Sequence, residues 1–489
     1  MAMTASALEP DPAPVADPPC GPVVGIREGT ASVFRGIPYA AAERLAPPQP
    51  LDPWSEPLDA TRHRAQAPQL AGALERLLGD PDVTTDEACH HLEVSTPGID
   101  GRRRPVLVWV HGGAFVTGGA AMPWYHGASL CERGDVVVVS INYRLGALGF
   151  TGVSNGGLHD QVQALRWVRD NIAAFGGDPG NVTVFGESAG GASVLALMAV
   201  PGARDLFRRG WAMSPSITQL RSRRRAQEAT EQLVRAAGVT GERELVGLDL
   251  DRLLAAQGEL LADPAGAITA FAPTRDGQLL PESIVPAAAN DARPLVIGTT
   301  RDEMQLFTTF DPANAAIDEQ TMHQRFTETF GDRAREAVGC YRDHRRGATP
   351  GQLVSALQTD QGFRVPAREL AEQRVSARRT TWMYWFTYPT PAFGGLLGSC
   401  HGLDIPFAFH NLDRPGVEMF TGQGNERIAV ADELSGAIVA FAHDGTPGWP
   451  VYELEARSTR RIDVESSTVD DPEPGLRQLW DTRPGRRSE

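Results

Sequence analysis

Along the chain, short runs of consecutive apolar residues alternate with stretches whose apolar residues recur every three or four positions. Pro105–Val110 (PVLVWV), Val136–Ser140, Leu295–Ile297 and the aromatic-rich Trp382–Phe386 are runs of the first kind, and Asn181–Phe185 (NVTVF) reads as a short buried strand. A run without a polar face suits a strand of a parallel sheet covered on both sides. Leu158, Val162, Leu165, Val168, Ile172 and Phe175 fall at helical intervals, so an amphipathic helix is predicted there. Gly176-Gly177 and Asp178-Pro179 stop it. Ala192–Met198, small and apolar, predicts another helix. From about Thr218 to Asp263, and from Ala315 to Glu372, arginine, glutamate, alanine and leucine follow helical periods. No linker rich in glycine, serine or proline sets these stretches apart, so they read as helical insertions (218–263 and 315–372) packed over a sheet. The alternation predicts an α/β fold with a mainly parallel central sheet and helices on both faces.

Composition narrows the picture. A length of 489 residues admits one large domain, and a single domain over 21–489 is the reading adopted. Residues 1–20 are rich in proline and acidic side chains, with neither a basic start nor an apolar segment. They read as a disordered tail, not a secretory signal. The longest apolar runs are too short to cross a membrane. A net charge of −15 disfavours nucleic acid as a partner. All 46 basic residues are arginine, which excludes a phosphate-binding P-loop lysine and a lysine Schiff base. The arginine clusters Arg102–Arg104 and Arg223–Arg225 are expected on the solvated surface. The five cysteines are scattered without a Cys-x-x-Cys pair. That pattern suggests no zinc site and no disulfide framework, and a cytoplasmic location is expected.

The candidate chemistry centres on Gly186-Glu187-Ser188-Ala189-Gly190. This Gly-x-Ser-x-Gly pattern lies between a predicted strand and a predicted helix, the setting of a nucleophile elbow. A serine hydroxyl needs a general base, a group that orients the base, and donors for an oxyanion. Gly112 and Gly113, directly after the PVLVWV strand, and Ala189, after the serine, are the candidate amide donors. His401, among small residues in a loop after Trp382–Phe386, is the candidate base. His90-His91 lacks a metal-binding spacing. Asp302 and Glu303 both follow the Leu295–Ile297 strand, and pattern alone does not choose between them. The order serine, acid, histidine is that of an α/β-hydrolase fold.

Together these motifs resemble the type-B carboxylesterase family over about Gly21 to Tyr452. The resemblance includes Phe34–Ala40 (FRGIPYA), Asn142–Gly146 (NYRLG), Phe175–Pro179 (FGGDP) and Trp449–Tyr452 (WPVY). It implies that the acid is Glu303 and the base His401, that Ser214 supports the acid, and that Glu187 supports the site. It also implies two buried ion pairs, Arg44 with Glu87 and Arg144 with Asp160. Cys89 resembles a cysteine that is disulfide-bonded in secreted members, but Ala67 stands where its partner would be. Choline-selective members carry a tryptophan between the positions of Trp54 and Trp109, and Ser55–Val108 contains no aromatic residue.

The expectation is therefore a serine carboxylesterase that hydrolyses small-molecule carboxylic esters through an acyl-enzyme, with no cofactor and no metal. Phe115, Trp124 and Phe307 are candidate pocket walls, with core packing as the equal alternative. A carbamate hydrolase, thioesterase or acyl-transfer enzyme on the same triad is the second reading. A non-catalytic binding module is a distant third, because Ser188, Glu303 and His401 are all present.

Overall fold

The apolar runs pair with one another in an eleven-stranded sheet. The computed structural model describes residues 12–70, 72, 83–262 and 270–484. In chain order the strands are β1 (Ile26–Glu28), β2 (Ala31–Pro38), β3 (His91–Thr96), β4 (Arg104–Val110), β5 (Val137–Ile141), β6 (Gly177–Glu187), β7 (Arg209–Met213), β8 (Leu295–Thr300), β9 (Thr381–Phe386), β10 (Thr459–Ile462) and β11 (Ser467–Val469). Their order across the sheet is β1-β2-β3-β5-β4-β6-β7-β8-β9-β10-β11. From β5 to β10 every pairing is parallel, and the outer pairings are antiparallel. This is the α/β-hydrolase arrangement expected above.

Successive residues of a strand point to opposite faces, and the core divides accordingly. Val106, Val108 and Val110 of β4 join one apolar cluster with Val137 and Val139 of β5. Leu107 and Trp109 join the other, with Val138 and Phe185. Both faces are buried, which is why these strands read as continuous apolar runs.

Helix α1 (Gly156–Asn171) buries Leu158, Val162, Leu165 and Val168 and exposes Arg166, Arg169 and Asp170. Its predicted last turn, Ile172–Phe175, tightens to a 3₁₀ turn closed by left-handed Gly176. Helix α2 (Ala189–Ala199) is apolar all round because it lies inside the molecule. Helices α3 (Arg223–Ala236) and α4 (Leu250–Leu261) occupy the first predicted insertion, whose end at Asp263 lies outside the described residues. Helices α5 (Glu319–Phe330), α6 (Ala334–His344) and α7 (Pro350–Thr359) occupy the second. With the C-terminal helix Pro474–Asp481 they bury a third cluster, including Phe326, Tyr341, Leu353 and Trp480. A π-helical turn, Asp360–Arg364, then leads into Val365–Ser376, whose Leu370 and Ala371 pack with the first cluster.

Two expectations are corrected. The disordered tail was drawn too long: Val15–Ala16 pairs with Val23–Val24, Ala16 is buried, and the Cys20 amide donates to Asn171 Oδ1 at 3.0 Å. Residues 1–11 lie outside the described residues. Arg104 is not on the surface, because it opens β4 in the sheet and is buried between Asp100 and Asp135. Those two carboxylates compensate its charge. Arg102, Arg103 and Arg223–Arg225 are exposed. No helix among the described residues is long and apolar enough to cross a membrane.

Candidate active site

Ser188 stands at the turn between β6 and α2 with φ 57° and ψ −116°. A non-glycine residue holds such a backbone only where its surroundings fix it. Here the Ser188 amide donates to Met213 O at 3.0 Å, and the Ser216 amide donates to Ser188 O at 3.2 Å. The flanking glycines are forced by proximity. A β-carbon at Gly190 would lie 1.9 Å from Val110 O, and one at Gly186 would lie 2.6 Å from the same oxygen.

The loop after β4 runs against this turn. A β-carbon at Gly112 would lie 2.9 Å from Glu187 O and 3.2 Å from Ser188 Cβ. Gly113, Ala114 and Phe115 all have positive φ, an accumulation of strained backbone beside the serine. His111 holds the loop from behind: its Nδ1 donates to Gly112 O at 2.8 Å, and its ring stacks on Tyr143 at 4.4 Å. Burial lowers His111 to about 4, so the ring is neutral. The Tyr143 hydroxyl donates to His111 O at 2.9 Å. Gln69 clasps the far side of the loop, accepting from the Gly118 amide and donating to Gly118 O.

His401 and Glu303 come from loops after β9 and β8. Glu303 Oε2 lies 2.5 Å from His401 Nδ1. Its other oxygen accepts from Ser214 Oγ at 2.6 Å and from the Thr300 amide at 2.8 Å. Glu303 and Ser214 are fully buried, so these bonds fix the carboxylate where water does not compete. Asp302 turns away from the imidazole. Its carboxylate accepts from the Ser399 amide at 3.1 Å and faces Arg345.

Two further buried acids surround His401. Glu187 Oε1 lies 3.2 Å from His401 Nε2, and burial pushes Glu187 up to about 8. Asp404 accepts from the Tyr384 hydroxyl at 3.1 Å, and burial with the neighbouring Glu303 raises it to about 7. Burial works against an imidazolium at His401, but Glu187 and Glu303 outweigh it and push the histidine up to about 9.

Phe363 and Phe307 stand 4.9 and 5.4 Å from the His401 ring, centroid to centroid. Phe307 is half exposed, whereas Phe115 and Trp124 are buried in the core. Phe363, Asp404, His111 and Tyr143 were given no role in the sequence reading. Tyr143 sits inside the quoted NYRLG motif, His111 directly precedes Gly112, and Asp404 lies three residues after His401, so their positions were visible. Phe363 is delivered by the π-helical turn, which the spacing did not signal. Both expected ion pairs are present, but only Arg144–Asp160 is buried; Arg44–Glu87 is partly exposed, and buried His90 joins the buried pair at 3.1 Å from Asp160. No group of three or more His, Cys, Asp or Glu among the described residues is arranged to hold a metal ion.

A serine on a strained elbow beside a buried acid–histidine pair and a glycine loop is suited to acyl transfer. A family model described as the carboxylesterase family matches residues 12–471. The para-nitrobenzyl esterase of Bacillus subtilis (strain 168) is 34% identical over 494 residues, covering 94% of this chain and 96% of its own. Phenmedipham hydrolase of Pseudarthrobacter oxydans is 34% identical over 477 residues, covering 93% and 96%. A crystal structure of the Geobacillus stearothermophilus carboxylesterase matches with a TM-score of 0.84 at 35% identity, covering 95% of this chain and 99% of that one.

Proposed function

The chain belongs to the carboxylesterase family and is a carboxylic ester hydrolase, and on that premise we propose that Ser188, His401 and Glu303 carry the reaction. Ser188 Oγ attacks the ester carbonyl while His401 Nε2 takes its proton. His401 then delivers that proton to the leaving alcohol, and the same histidine activates water against the acyl-enzyme. Glu303 orients the imidazole through Nδ1, and Ser214 and the Thr300 amide hold Glu303. The amides of Gly112, Gly113 and Ala189 receive the oxyanion. Glu187 supports the site from beside the base, its Oε1 3.2 Å from His401 Nε2.

The observation that carries this reading is the buried 2.5 Å contact between Glu303 and His401 beside the Ser188 elbow. The proposed substrates are small uncharged esters. The five cysteines are free, which suits the cytoplasm as the proposed location. An organophosphonate is expected to label wild type at Ser188, and Ser188→Ala is expected to abolish para-nitrophenyl butyrate turnover while keeping the fold. Labelling at another serine, or an active alanine variant, overturns the assignment. A carbamate, a thioester and an amide belong in the same panel, because pocket walls rather than the triad select among them.

A further inference from the structure

A polar cleft of about 440 Å³ lies beside the loops that carry Glu303 and His401. Arg301 and Asp302, after β8, form one wall, and Leu396 and Gly398, on the way to His401, form another. The turn His344–Ala348, which joins α6 to α7, closes it. Three guanidinium groups line this space, from Arg301, Arg345 and Arg346, against the single carboxylate of Asp302.

The three cations are not equally compensated. Arg345 has counter-charges: its Nε lies 3.6 Å from Asp302 Oδ1, and its Nη1 lies 3.2 Å from Glu473 Oε1. Arg301 donates to a carbonyl, His344 O, at 3.4 Å. Neither Arg301 nor the exposed Arg346 forms an ion pair with a carboxylate among the described residues. Exposed arginines elsewhere do: Arg102 pairs with Asp135, Arg103 with Asp178 and Arg224 with Glu228. An unpaired arginine in open water is ordinary, but Arg301 is partly buried. Burial, and then the neighbouring Arg345, hold its guanidinium below its ordinary value, against the pull of Asp302 and Glu473. A partly desolvated cation among like charges is unfavourable until an anion joins it. The chain carries a net charge of −15, so this local excess of positive charge is not the overflow of a basic protein.

We propose that the cleft binds the phosphate group of a small phosphate monoester. Two cations lack a partner, and a phosphate monoester near neutral pH carries close to two negative charges. A carboxylate carries one and leaves one cation unmatched. Arginine forks also suit the paired oxygens of a phosphate. The cleft has the volume of a small-molecule site, and Ala348 and Leu396 offer apolar surface to the organic part. The ligand is not a substrate of the triad, but it meets the triad's supports. The Asp302 amide donates to Ser399 O at 2.8 Å, and the Asp302 carboxylate accepts from the Ser399 amide at 3.1 Å. A phosphate held by Arg301 therefore anchors the segment that joins the Glu303 and His401 loops.

The test is calorimetric titration with phenyl phosphate at about pH 7.5, where the group is mostly dianionic, at ionic strength held constant with chloride. Wild type is expected to bind one equivalent, and its melting temperature is expected to rise with ligand concentration. Arg346→Gln, an exposed change that leaves para-nitrophenyl butyrate turnover intact, is expected to weaken binding about tenfold, the loss of one charge-assisted contact. Arg301→Gln is expected to abolish binding; if that variant does not fold, Arg346→Gln decides alone. Arg223→Gln, in a separate arginine cluster, is expected to bind as wild type does. Benzoate, with the same ring and one charge, is expected to bind at least about tenfold more weakly than phenyl phosphate. No saturable binding at millimolar phenyl phosphate overturns the proposal, as does full binding by Arg346→Gln. An equal loss in Arg223→Gln shows unspecific attraction instead of a site, and benzoate binding as tightly as phenyl phosphate overturns the assignment to phosphate.

Discussion

Glu187 Oε1 stands 3.2 Å from His401 Nε2, the nitrogen proposed above to accept the serine proton. The two groups share one site with Glu303 on the other nitrogen, so the imidazole lies between two carboxyl groups. Both titrate upward: Glu187 to about 8 by burial, and His401 to about 9 because the carboxylates outweigh burial. Only a neutral imidazole is a base, so activity is lost as pH falls through the pair's upper range. The acid limb of kcat/KM is expected above the ordinary histidine value of about 6.5. Glu187→Gln removes one raising charge and is expected to move that limb to lower pH. Profiles from pH 5 to 10 decide it. A wild-type limb at or below the ordinary value, or a variant limb unmoved or higher, contradicts the coupling.

Glu303→Gln is expected to lower kcat by about 10³- to 10⁴-fold, because the imidazolium loses its orienting charge. Asp302→Asn is expected to cost no more than about tenfold, since its carboxylate braces Ser399 and not the histidine. Single-turnover rates on para-nitrophenyl butyrate compare the two. The reverse ranking exchanges their roles.

Which of Glu303 and Asp302 meets His401 was undecidable from spacing for a physical reason. Adjacent residues of a loop leave in different directions, and the direction is set by partners distant in sequence: Ser214 for one, Ser399 for the other. The strands were legible because the sheet is buried on both faces, and the elbow because its glycines meet Val110 O at distances no side chain tolerates. Arg104 was misread because its partners, Asp100 and Asp135, gather only when β4 and β5 pair. Phe363 was missed because a π-helical turn breaks the periodicity on which such a reading depends.

Asp160 lies between Arg144 and His90, all three buried. Burial alone would raise its carboxyl, but His90 and Arg144 beside it hold it well below the usual range. A depressed carboxylate contributes stability that is present above its unfolded value near 3.9 and is lost as pH falls toward its folded one. Asp160→Asn leaves Arg144 buried without its counter-charge and is expected to destabilise by about 3–5 kcal/mol. Urea unfolding at pH 7 measures it, and a change below about 1 kcal/mol shows that the pair is dispensable.

Cys89 is fully buried and free, with Ala67 also buried in the neighbouring segment. Burial pushes its thiol far up, so it stays protonated and unreactive in the native protein. Thiol titration is expected to count five free cysteines after denaturation without reductant, with Cys89 unlabelled before it. A bridge involving Cys89 in a non-reducing mass map contradicts the reducing-compartment reading.

Choline esters are expected to be poor substrates. A quaternary ammonium gives up hydration on entering a pocket, and an aromatic face returns about 0.5–2 kcal/mol, tryptophan best. The aromatic rings at His401 are Phe363 and Phe307, neither of them tryptophan, and no aromatic residue occurs between Ser55 and Val108, of which 71 and 73–82 lie outside the described residues. The clean comparison is butyrylcholine against 3,3-dimethylbutyl butyrate, which has carbon in place of the nitrogen and the same shape. The neutral ester gains apolar burial without the loss of ionic hydration, and its kcat/KM at pH 7 is expected to be at least about tenfold higher, a difference of about 1.4 kcal/mol. Equal values, or a preference for the cation, require an anionic group or a stronger cation–π face than Phe307 and Phe363 provide, and the substrate class would then have to include quaternary amines.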